Sequence, residues 1–215
     1  MADLFGDTLA RRANDPIGDG AVVLRAFAGP ITRQLIDEVD RVSRAAPFRH
    51  MVTPGGYTMS VAMTNCGELG WVTDRRGYRY QRTDPLSGDA WPAMSGLFCS
   101  LASQAAQEAG YTAFQPDACL INRYEPGARL SLHQDHNEKV LAHPIVSVSI
   151  GLSGMFLFGG LRRSDKACRV SLEDGDIVVW GGPSRLAFHG VEALKDGVHA
   201  LTGRVRINLT FRKAG

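Results

Sequence analysis

Apolar residues recur along this chain in two rhythms, and the rhythm changes once. In the first half Ile31, Leu35, Val39, Val42 and Ala46 fall at helical spacing. Gly29-Pro30 precedes them and puts a proline in the first turn, where its missing N–H leaves no bond unmade. A second helix is predicted over 92–109, stopped by Gly110. Strands are predicted over 20–27 and 57–65, with Pro54-Gly55-Gly56 as a turn between the first helix and the second strand. The stretch 67–92, rich in Gly, Arg, Asp and aromatics, reads as long loops carrying short strands.

After Gln115 the helical rhythm disappears. Short apolar segments follow at 118–124, 129–134, 145–152, 155–158, 168–172, 176–180, 186–189 and 204–212. Turn signals such as Glu125-Pro126-Gly127, Gly159-Gly160, Glu173-Asp174-Gly175 and Gly181-Gly182-Pro183 separate them. Such a series predicts an antiparallel sandwich or jelly roll, in a mainly β chain of the α+β kind. Three regions follow: an N-terminal arm over 1–19, an N-terminal extension over 20–112, and a β core over 113–215.

The last strand alternates strictly. Arg204, Arg206, Asn208, Thr210 and Arg212 share one face, and Val205, Ile207, Leu209 and Phe211 the other. A half-buried strand with a solvated polar face would show the same pattern.

At 215 residues and 44% hydrophobic, the chain can bury one full core. A net charge of +2 does not by itself call for a nucleic-acid partner, but the arginines cluster: Arg75, Arg76, Arg79 and Arg82 in one stretch, Arg162, Arg163, Lys166 and Arg169 in another. Cys66, Cys99, Cys119 and Cys168 have no C-x-x-C spacing, so neither a zinc knuckle nor a redox pair is indicated, and Cys119 reads as a packed thiol. The first sixteen residues lack the apolar run of a signal peptide and no segment reaches membrane-spanning length, so a cytoplasmic location is expected.

Chemistry enters with His133-Gln134-Asp135 and His189. Two imidazoles and a carboxylate in the order H-x-D…H are the parts of a facial triad, which holds iron(II) and leaves coordination positions open. The motif alone is weak in a chain with six histidines. Geometry strengthens it, because residues i and i+2 of a strand face the same way and can reach one ion. His136 should then point away from the ligands, and His50, His143 and His199 read as surface or structural residues. Two arginines on the closing strand suit a dicarboxylate, since the guanidinium fork matches a carboxylate. Together these features point to an iron- and 2-oxoglutarate-dependent dioxygenase. The competing reading is a nonenzymatic jelly-roll module with structural zinc, which normally needs four protein ligands where three can be named.

The run from Asp117 to Asp135, Asp-Ala-Cys-Leu-Ile-Asn-Arg-Tyr-Glu-Pro-Gly-Ala-Arg-Leu-Ser-Leu-His-Gln-Asp, resembles the AlkB family of oxidative demethylases. So do the segment Met51–Cys66, the run Gly175-Asp-Ile-Val-Val-Trp-Gly-Gly182 and the closing Asn208-Leu-Thr-Phe-Arg212. The resemblance covers nearly the whole chain apart from the arm. It implies a double-stranded β-helix (jelly roll) core with N-terminal helices and a nucleotide-recognition lid within 20–112. It implies Fe(II) held by His133, Asp135 and His189, and 2-oxoglutarate held by Asn122, Tyr124, Arg206, Asn208 and Arg212, with Arg206 on the far carboxylate and Arg212 nearer the chelating end. With O2, these would demethylate N-methylated bases such as 1-methyladenine and 3-methylcytosine, releasing formaldehyde, succinate and CO2.

For the base the resemblance implies Trp71, Tyr78, Arg163 and Asn137. A base must leave its stack to reach a buried metal, so an aromatic wall is required, and Trp71 with His133 can sandwich the ring. The segment 75–82 interleaves cations and tyrosines as a single-strand binding surface would, although an ordinary exposed loop has the same composition. Implied substrates are alkylated single-stranded DNA, with double-stranded DNA and RNA beside it, acted on by a monomer away from membranes. The same chemistry on modified RNA or a protein side chain is the alternative. One position departs from the family pattern: residue 137 is usually aspartate and is asparagine here, which keeps an acceptor oxygen but loses the charge.

Overall fold

The two rhythms become helices on one side of a large sheet and a smaller sheet on the other. The structure is a computed structural model that describes residues 14–215. Its strands are β1 (Asp15–Gly18), β2 (Ala21–Leu24), β3 (Arg49–Val52), β4 (Thr58–Gly67), β5 (Gly70–Asp74), β6 (Gly77–Gln81) and β7 (Ala118–Tyr124). β8 (Leu130–His133), β9 (Ile145–Gly151), β10 (Gly154–Phe158), β11 (Cys168–Leu172), β12 (Ile177–Trp180), β13 (His189–Val191) and β14 (Arg206–Arg212) follow. The larger sheet runs β1-β2-β12-β9-β14-β7-β4-β3, the smaller β11-β10-β13-β8, and β5-β6 is a separate hairpin. The two facing sheets make the expected jelly roll.

Helices α1 (Thr32–Ala45) and α2 (Gly96–Glu108) cover the outer face of the large sheet. Leu35, Val39 and Val42 of α1, with Phe98, Leu101, Ala102 and Ala105 of α2, pack on Ile121, Val146, Val148, Leu209 and Phe211. α2 begins later than predicted, because the Ser95 hydroxyl accepts from the Phe98 N–H at 3.3 Å and fixes the N-terminus there. Gly110 follows the helix with φ +89°, as its stop role required.

Alternation then decides what faces inward. With Ile207, Leu209 and Phe211 against the helices, Arg206, Asn208, Thr210 and Arg212 must point between the sheets. Asn122 and Tyr124 of β7 and Ser147 and Ser149 of β9 join them through the pairings Asn208↔Asn122 and Asn208↔Ser149. The polar face of the closing strand is therefore buried, and the solvated alternative is excluded.

Some expectations change. Four of the six described residues of the expected arm, Asp15–Gly18, form β1 against β2, while 1–13 lie outside the described residues. β3 was not anticipated: within Arg49–Val52 only Met51 is fully buried, so four residues show no readable period. Arg204 lies outside β14 and pairs on the surface with Asp196 at 2.9 Å. The strand expected over 186–189 starts at His189 instead, and Gly190 explains its position: a Cβ there would lie 2.7 Å from the Leu130 carbonyl oxygen. Only glycine lets β13 approach β8 this closely.

Candidate metal centre and substrate cavity

Close approach of β13 and β8 sets His189 directly opposite His133 in the ladder. Asp135 follows two residues after His133, and ligand atoms from all three lie within 4.8 Å of one another. The Nε2 atoms of His133 and His189 stand 3.9 and 3.8 Å from the Asp135 carboxylate oxygens. Each ring has its Nδ1 near the carbonyl oxygen two residues earlier, Ser131 at 2.8 Å and Ala187 at 3.0 Å. A carbonyl can only accept, so each Nδ1 carries the hydrogen and each Nε2 keeps its lone pair for a metal. Burial pulls the His189 pKa down to about 4, which keeps that ring neutral. The Arg212 guanidinium donates to Asp135 Oδ2 from Nε at 2.8 Å and Nη2 at 2.5 Å, holding the carboxyl well below the usual carboxylate range despite its burial. Among the described residues no fourth His, Cys, Asp or Glu joins the group, so it cannot close a structural zinc shell.

Deeper between the sheets lies Arg206, 1% exposed. Its Nη2 donates to Ser149 Oγ at 2.9 Å and its guanidinium carbon sits 5.2 Å from the centre of the Tyr124 ring. Its Nε and Nη1 are buried with no partner, as is Asn122 Oδ1. Burial lowers the Arg206 pKa and raises that of Tyr124 to about 12, so Tyr124 stays a neutral phenol and gives Arg206 no counter-charge. An unpaired guanidinium in such a place fits an anionic group that the protein itself does not provide. Asn208 is held by Ser147 Oγ, at 2.8 Å from Nδ2, and by Thr210, whose hydroxyl donates to Asn208 Oδ1 at 2.8 Å.

One cavity of about 410 Å³ takes in all twelve residues that the family resemblance implied for metal, 2-oxoglutarate and base: His133, Asp135, His189, Asn122, Tyr124, Arg206, Asn208, Arg212, Trp71, Tyr78, Asn137 and Arg163. Trp71 and Tyr78 stack at 5.6 Å on one face of the β5–β6 hairpin. Arg163 lies 5.3 Å over the Phe188 ring. His136 also lines the cavity, against expectation, because the chain leaves strand geometry after His133 and no longer alternates.

The segment 75–82 is less available than its composition implied. Arg76 and Arg79 both bind Asp74, at 2.9 and 2.8 Å, and Tyr80 turns inward to donate to Glu138 Oε1 at 2.6 Å. In the second basic stretch Arg162 pairs with Asp165 and Arg169 with Glu192. Sequence reasoning also passed over Trp180, whose ring is 4.9 Å from that of His189 and whose Nε1 is buried without a partner. Its position at the inward end of β12 was readable only once β12 was known to pair with β9.

A family model described as the 2OG-Fe(II) oxygenase superfamily matches residues 20–212. The alpha-ketoglutarate-dependent dioxygenase AlkB of Salmonella typhimurium is 59% identical over 214 residues, covering 100% of this chain and 98% of that protein. The mouse protein named nucleic acid dioxygenase ALKBH1 is 35% identical over 124 residues, 57% of this chain and 31% of its own length. The solved structure of OsALKBH1 superposes with a TM-score of 0.83 at 29% identity, covering 94% of this chain and 100% of that one.

Proposed function

Since the chain belongs to the 2OG-Fe(II) oxygenase superfamily, we propose that it repairs alkylated nucleic acid by oxidative demethylation. 1-Methyladenine and 3-methylcytosine in single-stranded DNA are its principal substrates, and double-stranded DNA and RNA are further ones. The observation that carries this reading is one cavity with three parts: the His133–Asp135–His189 cluster, the buried Arg206 guanidinium whose Nε and Nη1 have no partner, and the stacked Trp71–Tyr78 pair.

His133, Asp135 and His189 hold Fe(II) through the two freed Nε2 atoms and the carboxylate. Arg206 takes the distal carboxylate of 2-oxoglutarate, with Tyr124, Asn122 and Asn208 along its length. Arg212 is already committed to Asp135 and so sits at the chelating end. With 2-oxoglutarate and O2, the iron supplies hydroxylation of the N-methyl carbon, after which formaldehyde leaves and succinate and CO2 are the coproducts. Trp71 and Tyr78 present π faces on which an extruded base stacks, with His133 closing the other side. Asn137 offers the base edge one acceptor and one donor without charge, and Arg163 meets the polar groups beside it.

No helix among the described residues is long and apolar enough to cross a membrane. All four cysteines are free thiols, which suits work in the cytoplasm, and we take the active species as a monomer.

The test is a substrate panel. Protein loaded anaerobically with Fe(II) is given 2-oxoglutarate, O2 and oligonucleotides bearing one defined lesion each, as single-stranded DNA, duplex DNA or RNA. Mass and formaldehyde are read. Loss of the methyl group with matching formaldehyde is expected on single-stranded DNA first. Consumption of 2-oxoglutarate with every lesion left intact would move the substrate away from nucleobases.

A further inference from the structure

Asp135 is fixed from two directions, and both lead to one residue. Arg212 holds its carboxylate, and Arg185 Nη1 donates to its backbone carbonyl oxygen at 2.8 Å. Glu138 reaches both arginines: Oε2 lies 3.1 Å from Arg185 Nη2, and Oε1 lies 3.5 Å from Arg212 Nε. Its side chain is 1% exposed, and those of the two arginines only 4% and 6%. Two carboxylates and two guanidiniums thus form a neutral set away from water, where removing one member leaves a bare charge. Glu138 Oε1 also accepts the Tyr80 hydroxyl at 2.6 Å. Tyr80 sits on β6, directly across the ladder from Trp71 and on the same face as Tyr78. The hairpin that carries the stacking aromatics is in neither main sheet. Through Tyr80 it holds the buried charge set that orients the metal carboxylate.

We propose that Glu138 is a positioning residue, and that the path Tyr80–Glu138–Arg212–Asp135 couples closure of the β5–β6 hairpin on a base to the pose of Asp135 at the metal. This rests on the function proposed above. A base stacking on Trp71 and Tyr78 pins the hairpin, the pinned Tyr80 hydroxyl holds Glu138, and Glu138 fixes the two arginines that hold Asp135. Coupling of this kind is reciprocal: whatever factor the base adds to metal affinity, the metal adds to base affinity.

The test measures that factor. Anaerobic Fe(II) affinity is determined with 2-oxoglutarate present, with and without a single-stranded oligonucleotide carrying one 1-methyladenine. Wild type should bind Fe(II) about fivefold or more tightly with the oligonucleotide, and the oligonucleotide should gain equally from Fe(II). Tyr80→Phe removes one hydroxyl and keeps the ring. Its ratio should fall to within about twofold of unity. A Tyr80→Phe ratio equal to that of wild type overturns the proposal, as does a wild-type ratio of one when both ligands bind. Glu138→Gln keeps the shape and removes the charge. It should weaken Fe(II) binding about tenfold even without oligonucleotide, as loss of a group supporting a metal ligand does. Unchanged affinity in that variant removes Glu138 from the path. Wild type that demethylates the oligonucleotide yet shows a ratio of one sinks the coupling alone. Wild type that binds Fe(II) but neither binds nor repairs the oligonucleotide sinks the functional reading, and this inference with it.

Discussion

Arg206→Met should move two measurements in opposite directions. In the ligand-free protein Arg206 is a buried cation with Nε and Nη1 unpartnered. An unsatisfied buried donor costs about 1–3 kcal/mol. Against this stand the Ser149 hydrogen bond and the Tyr124 ring, worth about 1 kcal/mol and 1–2 kcal/mol. Methionine fills much of the space and carries no charge, and replacing buried charge by apolar volume often stabilises by about 1–4 kcal/mol. We expect a net gain near 1–3 kcal/mol, which for a chain of this size raises Tm by roughly 2–12 °C. Binding of 2-oxoglutarate should meanwhile weaken by about 2–5 kcal/mol, roughly thirtyfold to several thousandfold, because a dicarboxylate loses its buried charged partner. The assay is thermal unfolding of Mn(II)-loaded wild type and variant with and without 2-oxoglutarate, with affinity measured by calorimetry. At a hundredfold excess over the wild-type Kd the ligand should stabilise wild type by about 2.7 kcal/mol and the variant by no more than about 1 kcal/mol. A variant that is less stable without ligand but binds 2-oxoglutarate as wild type does would refute the reasoning, and would make Arg206 a structural cation.

His133→Ala, Asp135→Ala and His189→Ala should each abolish demethylation at ordinary Fe(II) concentration, since three protein ligands leave no spare; full turnover in any of them removes that residue from the centre, as single-turnover assays would show. Asn137→Asp should favour cationic 1-methyladenine and 3-methylcytosine over neutral 1-methylguanine by about 1 kcal/mol, several-fold in relative kcat/KM, because a charge-assisted bond is about twice a neutral one. A competition assay across pH 6–8 reads the ratio, and no movement places residue 137 off the base edge. Metal-free protein should lose stability on acidification. His189 takes its proton near 6.5 when unfolded but only near pH 4 when folded. Stability is therefore full above 6.5 and falls as pH drops towards 4, by at most about 3 kcal/mol. Denaturant titrations at pH 7.5, 6 and 5 check this, and His189→Gln should flatten the dependence.

Local geometry made part of the site readable in sequence. The spacing of His133 and Asp135 named the right pair, although the strand ends at His133 and Asp135 reaches the cluster from the loop after it. The alternation from 206 to 212 separated Arg206, Asn208 and Arg212 from the apolar residues beside them. Whether that polar face met water or protein depended on the sheet opposite, which no local pattern reports. The Tyr80–Glu138–Arg185 set was illegible for the same reason: its members are far apart in sequence and meet only through packing. β3 was missed because four residues with one buried position show no period, and β1 because Asp-Pro-Ile-Gly carries a single aliphatic residue between turn formers. In the Arg75–Arg82 stretch composition could not reveal that Asp74 already holds two of the cations.

The ligand cluster also says something about supply. Its imidazoles are already turned with Nε2 free, its carboxylate is already countered by Arg212, and His133 remains 38% exposed. Nothing has to fold around an arriving ion, so nothing in the arrangement discriminates among ions of similar size. Cobalt, nickel and copper, later in the first transition row, bind nitrogen and oxygen donors more tightly than iron(II) does. Occupancy by iron is then decided by which divalent metals are plentiful. A cell flooded with nickel or cobalt would carry the full complement of this protein and little of its activity, and iron would restore that activity once the competitor was removed.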